Sequence, residues 1–191
     1  MTRKRKFIIY FNAPITLSFV AICCLALGLS YITNDMSTVM VFSTYHASWL
    51  NPMTYVRLIC HVFGHHNVNH LVSNMLYILL LGPMLEEKYG SKTIVEVILI
   101  TGLVTGLVNW ILFPGIALCG ASAVVFAFIL MTSFTGFREG EIPLTVILVA
   151  IIFIGQQVYE GLLLQDDISN LSHIVGGLIG GLAGYVLNKK S

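Results

Sequence analysis

Charge is what this sequence has least of. Lys and Arg together number 10 and Asp and Glu 9 in 191 residues, so charged side chains make up 10% of the chain against 57% hydrophobic, with a mean hydropathy of +0.87. That balance excludes an ordinary soluble domain of this length. No segment reads as a strand or as a soluble unit, and polar residues serve mainly as short punctuation between apolar runs. Cysteine is sparse too. Cys23 and Cys24 are neighbours inside one apolar run, where thiols act as small fillers. A disulfide between Cys60 and Cys119 stays open, because spacing alone cannot establish one. The chain also lacks an HExxH motif, and no carboxylate stands beside its histidines.

What is abundant is hydrocarbon in lengths that suit a bilayer. Six apolar runs are each about long enough to cross as helix: Pro14 to Ile32, Val68 to Leu85, Thr93 to Phe113, Ala121 to Phe137, Ile142 to Leu162 and Leu171 to Leu187. Lipid offers backbone amides no water, so helix is the form expected. The reading is an all-α polytopic membrane protein, residues 1–191 as one six-helix domain with 1–13 as a short basic cytoplasmic N-terminus.

Six crossings put both termini on one side. Arg3, Lys4, Arg5, Lys6, Lys88, Lys92, Arg138, Lys189 and Lys190 fall on that side and Arg57 alone on the other. By the positive-inside rule the first side is cytoplasmic. The basic cluster near the N-terminus is then a topology signal rather than a nucleic-acid site, and the first run is an anchor rather than a cleaved signal peptide. The long outer segment, Thr33 to Asn67, holds Tyr45, His46, Trp49, Tyr55 and His61. It is too apolar for a linker and is expected to pack on or dip into the outer leaflet.

Polar residues share a depth near the outer ends of three runs. His70 and Asn74 are four apart and project from one helical face. Hydrogen-bonding glue between helices is one reading of them, and donors in a reactive site are another. In "NLSHIVGGLIGGLAGYVLNKK", Gly176, Gly180 and Gly184 repeat every four residues, with Gly177 and Gly181 widening the stripe. This small face lets another backbone approach. His173 stands one turn before Gly176, and an ionisable residue inside a span is a functional candidate. "GASAVVFAF" places Ser122 at the head of the fourth run behind Gly120, among Ala121, Ala123 and Ala127. Two narrow-waisted helices can bring Ser122 and His173 to matching depth.

That pairing suits nucleophilic catalysis. A serine hydroxyl needs a base to take its proton, and histidine titrates in the right range. Negative charge on the attacked oxygen needs preorganised donors, for which His70, Asn74 and the Ser122 amide are candidates. Asp166 and Asp167 fall in an outer loop and Glu86, Glu87 and Glu96 at the cytoplasmic end, so no carboxylate completes a triad. A Ser-His dyad follows, its imidazole packed on Phe126. The competing chemistry is metal, from His61 with His65 and His66 with His70, each four apart. Without a complete ligand set, no metal or cofactor is expected.

The histidine and asparagine of "HHNVNHLVSN", the glutamate and glycine of "EEKYGS", the serine of "CGASAVVFA" and the histidine of "SHIVGGLIGG" together resemble the rhomboid intramembrane serine proteases, from about Tyr55 through Leu187. The resemblance implies a six-transmembrane-helix bundle with a membrane-associated first outer loop. It makes Ser122 the nucleophile and His173 the base and acid. His70, Asn74 and Ser122 form the oxyanion hole, with Gly120, Ala123, Phe126 and Gly176 in support. It further implies transmembrane protein substrates cleaved in or near a helix that unwinds readily, and a site opening away from the cytoplasm. Arg57 aligns with the arginine of the family's first loop, Glu86 takes a structural role, and the fifth helix is a candidate gate. Three positions depart from the family: Ala123 stands for a glycine, Phe126 for a tyrosine and Val56 for a tryptophan. A non-catalytic rhomboid-like binder is the alternative, for which Ala123 is the best support. The compact chain points to a bacterial inner membrane, with lipid and membrane-helix partners and no nucleic acid.

Overall fold

The computed structural model describes residues 9–136, 141–164 and 167–189. Arg3, Lys4, Arg5, Lys6, Arg138, Asp166 and Lys190 lie outside them. In chain order the helices are α1 (Pro14–Ile32), α2 (Met36–Met40), α3 (Pro52–Cys60), α4 (Val68–Tyr89), α5 (Ser91–Leu112), α6 (Ser122–Ser133), α7 (Leu144–Leu164) and α8 (Asp167–Lys189), with a 3-10 turn at His61–Phe63. Among the described residues no sheet forms, and an isolated antiparallel bridge joins Thr44 to Leu118.

Local chemistry sets the helix starts. Pro14 and Pro52 occupy first-turn positions of α1 and α3, where a missing N–H costs nothing. Asn51 Oδ1 accepts from Met53 N at 3.0 Å, and Asn67 Oδ1 accepts from His70 N at 2.9 Å, capping α3 and α4. Glu86 near the end of α4 serves two other elements. Its carboxylate accepts from Ile15 N, Thr16 N and Thr16 Oγ1, each at 2.9 Å, and from Ser91 Oγ at 2.7 Å. It therefore satisfies the orphan amides of α1 while tying down the start of α5.

α1, α4, α5 and the Asn170–Lys189 part of α8 are long and apolar enough to cross a membrane, and Ser122–Ser133 and Leu144–Gln156 are shorter apolar helices. The chain is an integral, multi-pass membrane protein. α6 is the centre of the bundle, packed against α4, α5, α7 and α8. Val124, Ala127, Phe128 and Met131 are buried with Phe19, Cys23, Leu27, Ile78, Leu85 and Ile94 in one cluster. Its helix is shorter than the run from Ala121 to Phe137 suggests, ending at Ser133, whose Oγ bonds back to Ile129 O at 3.0 Å, before the turn at 134–136. At 12 residues it spans about 18 Å, well under a hydrocarbon core of about 30 Å.

The outer segment is ordered and packed on α5. A Cβ on Gly106 would lie 2.4 Å from Leu58 O and one on Gly102 3.2 Å from Ile59 O, so these glycines let α3 settle backbone to backbone. Arg57 is buried, with Nη1 donating to Tyr45 OH at 3.0 Å and its guanidinium 4.4 Å above the Tyr45 ring. Trp49 packs on Trp110 at 4.1 Å and on Tyr55 at 5.7 Å.

Candidate active site

Ser122 owes its position to the loop before it. Leu118 N donates to Thr44 O and Thr44 N to Leu118 O, both at 2.9 Å. Asn109 Nδ2 on α5 donates to Thr44 O and to Ile116 O, each at 3.1 Å. Gly120 N donates to His61 O at 2.9 Å, and His61 Nε2 donates to Gly102 O at the same distance. The outer segment and α5 thus hold residues 116–120 from both sides. Gly120 has φ +137°, and a Cβ there would lie 2.8 Å from His70 Cε1, 2.9 Å from His70 Nε2 and 4.0 Å from Ser122 Oγ. Only glycine meets both demands, turning the chain into α6 while leaving room for His70.

The glycine stripe of α8 brings His173 to this point. A Cβ on Gly176 would stand 2.2 Å from Ala123 O, and one on Gly180 1.9 Å from Ala127 O. The two backbones meet at residues four apart on each helix. The His173 ring rests on Phe126 at 4.5 Å and 43°, and Phe126 rests in turn on Phe153 of α7 at 4.5 Å. Ala123 is buried in the α6–α8 seam and is not part of the cavity lining.

A cavity of about 640 Å³ opens here, lined by Ser122, His173, His70 and Asn74 together with Phe126. Asn74 is buried, and its Nδ2 has no acceptor. Tyr77, Gln156 and Asn170, which the sequence reading did not single out, also line it, as do His66, read there only with His70 for metal, and Cys119, read there only for a disulfide. Asn170 carried a signal, three residues before His173 on one helical face. Cys119 carried none, since loop spacing does not show that its Sγ lies 3.3 Å from His66 Nε2.

Of the two histidine pairs, His61 and His65 part while His66 and His70 stay together. His61 turns to Gly102, while the His65 ring meets His70 edge-on at 5.0 Å and His66 stacks on His70 at 5.9 Å. Among the described residues no three His, Cys, Asp or Glu side chains are grouped to hold a metal ion. Burial pulls His61 and His65 down to about 4, so both are neutral scaffolding. Burial pushes the Cys119 thiol up to about 11. All four cysteines are free thiols. Asp167 begins α8 rather than sitting in a loop.

The rhomboid-domain family profile matches residues 52–190, from the first residue of α3 through the end of α8. Over 183 residues, 90% of this chain, the sequence is 26% identical to Rhomboid protease GlpG of Yersinia pestis (strain Pestoides F), and equally to that of Yersinia pseudotuberculosis serotype O:3. The match covers 62% of those proteins, so the chain spans under two thirds of their length. Rhomboid-like protease 3 of Toxoplasma gondii is 26% identical over 124 residues, 65% of this chain and 46% of that protein. With a rhomboid-domain profile matching most of its length, and relatives named as rhomboid or rhomboid-like proteases, this chain belongs to the rhomboid family.

Proposed function

We propose that this protein is an intramembrane serine endopeptidase, a single domain over 1–191 with no cofactor, acting on membrane proteins in or near a transmembrane helix. The observation that carries the reading is the shared cavity: Ser122, His173, His70 and Asn74 come from three helices to line it, with the His173 ring braced on Phe126. In the proposed reaction His173 takes the Ser122 hydroxyl proton as Oγ attacks the carbonyl carbon. The oxyanion is stabilised by the Ser122 N–H, His70 and the Asn74 Nδ2 donor that has no acceptor in the free protein. Collapse breaks the C–N bond, and His173 gives its proton to the leaving amine. Water activated by the same imidazole then hydrolyses the acyl-enzyme and restores Ser122.

Leu118 spends both backbone groups on Thr44, so by alternation those of Ala117 and Cys119 face the other edge, toward the cavity that both residues line. An extended substrate segment is suited to that edge. A helical substrate must first unwind, since its own hydrogen bonds shield the peptide carbonyls, and glycine or proline lowers that cost. We assign six crossings, with both termini cytoplasmic and the cavity open to the other side, in a bacterial inner membrane. Two contacts support one common end for α4, α6 and α8: Lys88 Nζ donates to Thr135 O, and Asn188 Nδ2 donates to Tyr89 OH at 2.6 Å; the basic Lys189 in the last turn of α8 lies at the same end.

The reading is tested by co-reconstituting the protein in liposomes with transmembrane substrates that do and do not carry a mid-helix glycine or proline. Cleavage should favour the helix-breaking substrates, disappear with Ser122→Ala and persist in chelator. Cleavage that survives Ser122→Ala in folded protein overturns the assignment.

A further inference from the structure

Asn170 has no part in the reaction as described, yet it sits in the same wall. It lies three residues before His173 on α8, on the same helical face and about 4.5 Å nearer the start of the helix. It lines the Ser122 cavity, its side chain is 6% exposed, and its Nδ2 is buried with no acceptor. A buried amide donor left unpaired costs free energy, so its acceptor is expected to come from outside the free protein. Rotation about χ2 exchanges the amide nitrogen and oxygen, so the donor can face the cavity without any movement of α8.

The substrate supplies such acceptors. An unwound helical segment carries carbonyls that have lost their intrahelical amides, and lipid offers them nothing in return. The scissile carbonyl is served by Ser122, His70 and Asn74. His173 must reach the leaving nitrogen to protonate it, so the polypeptide attached to that nitrogen runs beside α8, where Asn170 is one turn away. We infer that Asn170 is a substrate-binding residue whose carboxamide donates to a backbone carbonyl on the leaving-group side of the cleaved bond. The inference rests on the protease reading.

The test compares two reactions of the full chain in lipid. Cleavage of a transmembrane substrate involves polypeptide on the leaving-group side, whereas labelling of Ser122 by a small fluorophosphonate, which expels fluoride, does not. Asn170→Leu, similar in size without a donor, should lower kcat/KM for cleavage by about tenfold or more while labelling stays within about twofold of wild type. Asn170→Ser, with a shorter donor, should fall between. The melting temperature of the leucine variant should not drop, because the substitution removes an unpaired donor. Unchanged cleavage, or equal losses of cleavage and labelling alongside a lower melting temperature, overturns the inference and leaves Asn170 a packing residue. Wild type that neither labels nor cleaves overturns the protease reading itself, and this inference with it.

Discussion

Ser122 opens α6, where the first amides of the helix have no intrahelical acceptor, and it lines the cavity. The helix start that ends the preceding loop therefore leaves a free amide donor on Ser122 itself, as the proposed reaction requires. Replacing Ser122 or His173 by alanine should cut turnover by about 10⁴-fold or more without unfolding the protein, measured as cleavage rate beside a thermal melt. Gly120→Ala should act differently. Its Cβ would sit at φ +137° and 2.8 Å from His70, so labelling of Ser122 and thermal stability should fall together. That Ser122 and His173 share one cavity was legible because small residues on both helices let the two come to one depth, and the Phe126 stack followed from one helical turn. The place of Asn170, Cys119 and His66 in the cavity wall was not, because it depends on which way a loop and a helix face turn once packed. The parting of His61 from His65 was not readable for a similar reason: the His61 ring turns to Gly102, while His65 meets His70.

At the scale of elements, α6 and α8 form the unit on which the site stands. Gly180 and Gly181 are sequence neighbours with opposite expectations. A Cβ on Gly180 would lie 1.9 Å from Ala127 O, whereas one on Gly181 would meet Phe134 at 3.8 Å and Leu130 at 4.0 Å, ordinary contact. Gly180→Ala should therefore destabilise by about 1–3 kcal/mol or more and reduce labelling, while Gly181→Ala should be neutral or stabilise by up to about 1 kcal/mol. Chemical or thermal unfolding in detergent separates the two. The four-residue repeat made this seam readable in the sequence, down to the partner helix. The end of α6 was not readable, because apolar residues continue to Phe137 and only Ser133's bond to its own helix and the turn after it mark the stop. Ala123, conspicuous as a departure from the family, is buried in the seam rather than among the cavity-lining residues.

Across the whole molecule, the segment from Thr33 to Asn67 clamps the loop before Ser122, and His61 joins the two sides of the clamp. Its carbonyl holds Gly120 and its ring holds Gly102. Folded His61 takes a proton only near pH 4, whereas unfolded His61 takes one near 6.5, so the unfolded chain binds more protons between those values. Stability from this group is complete above about 6.5 and is lost as pH falls toward 4, by on the order of 3 kcal/mol. Melting curves across that window should show the loss, and His61→Gln should flatten it. Six crossings predict that reporters inserted near Lys88 lie on the cytoplasmic side and those near Gly115 on the opposite side; a shared side contradicts the topology.

The central claim is that His173 activates Ser122. Fluorophosphonate labelling of purified wild type, Ser122→Ala and His173→Ala, each confirmed folded and each repeated in lipid, tests it most directly. Labelling of wild type alone is the predicted result. Labelling of folded His173→Ala at the wild-type rate, or no labelling of folded wild type in lipid, would contradict the account, and the second outcome would favour a rhomboid-family protein that binds membrane helices without cutting them.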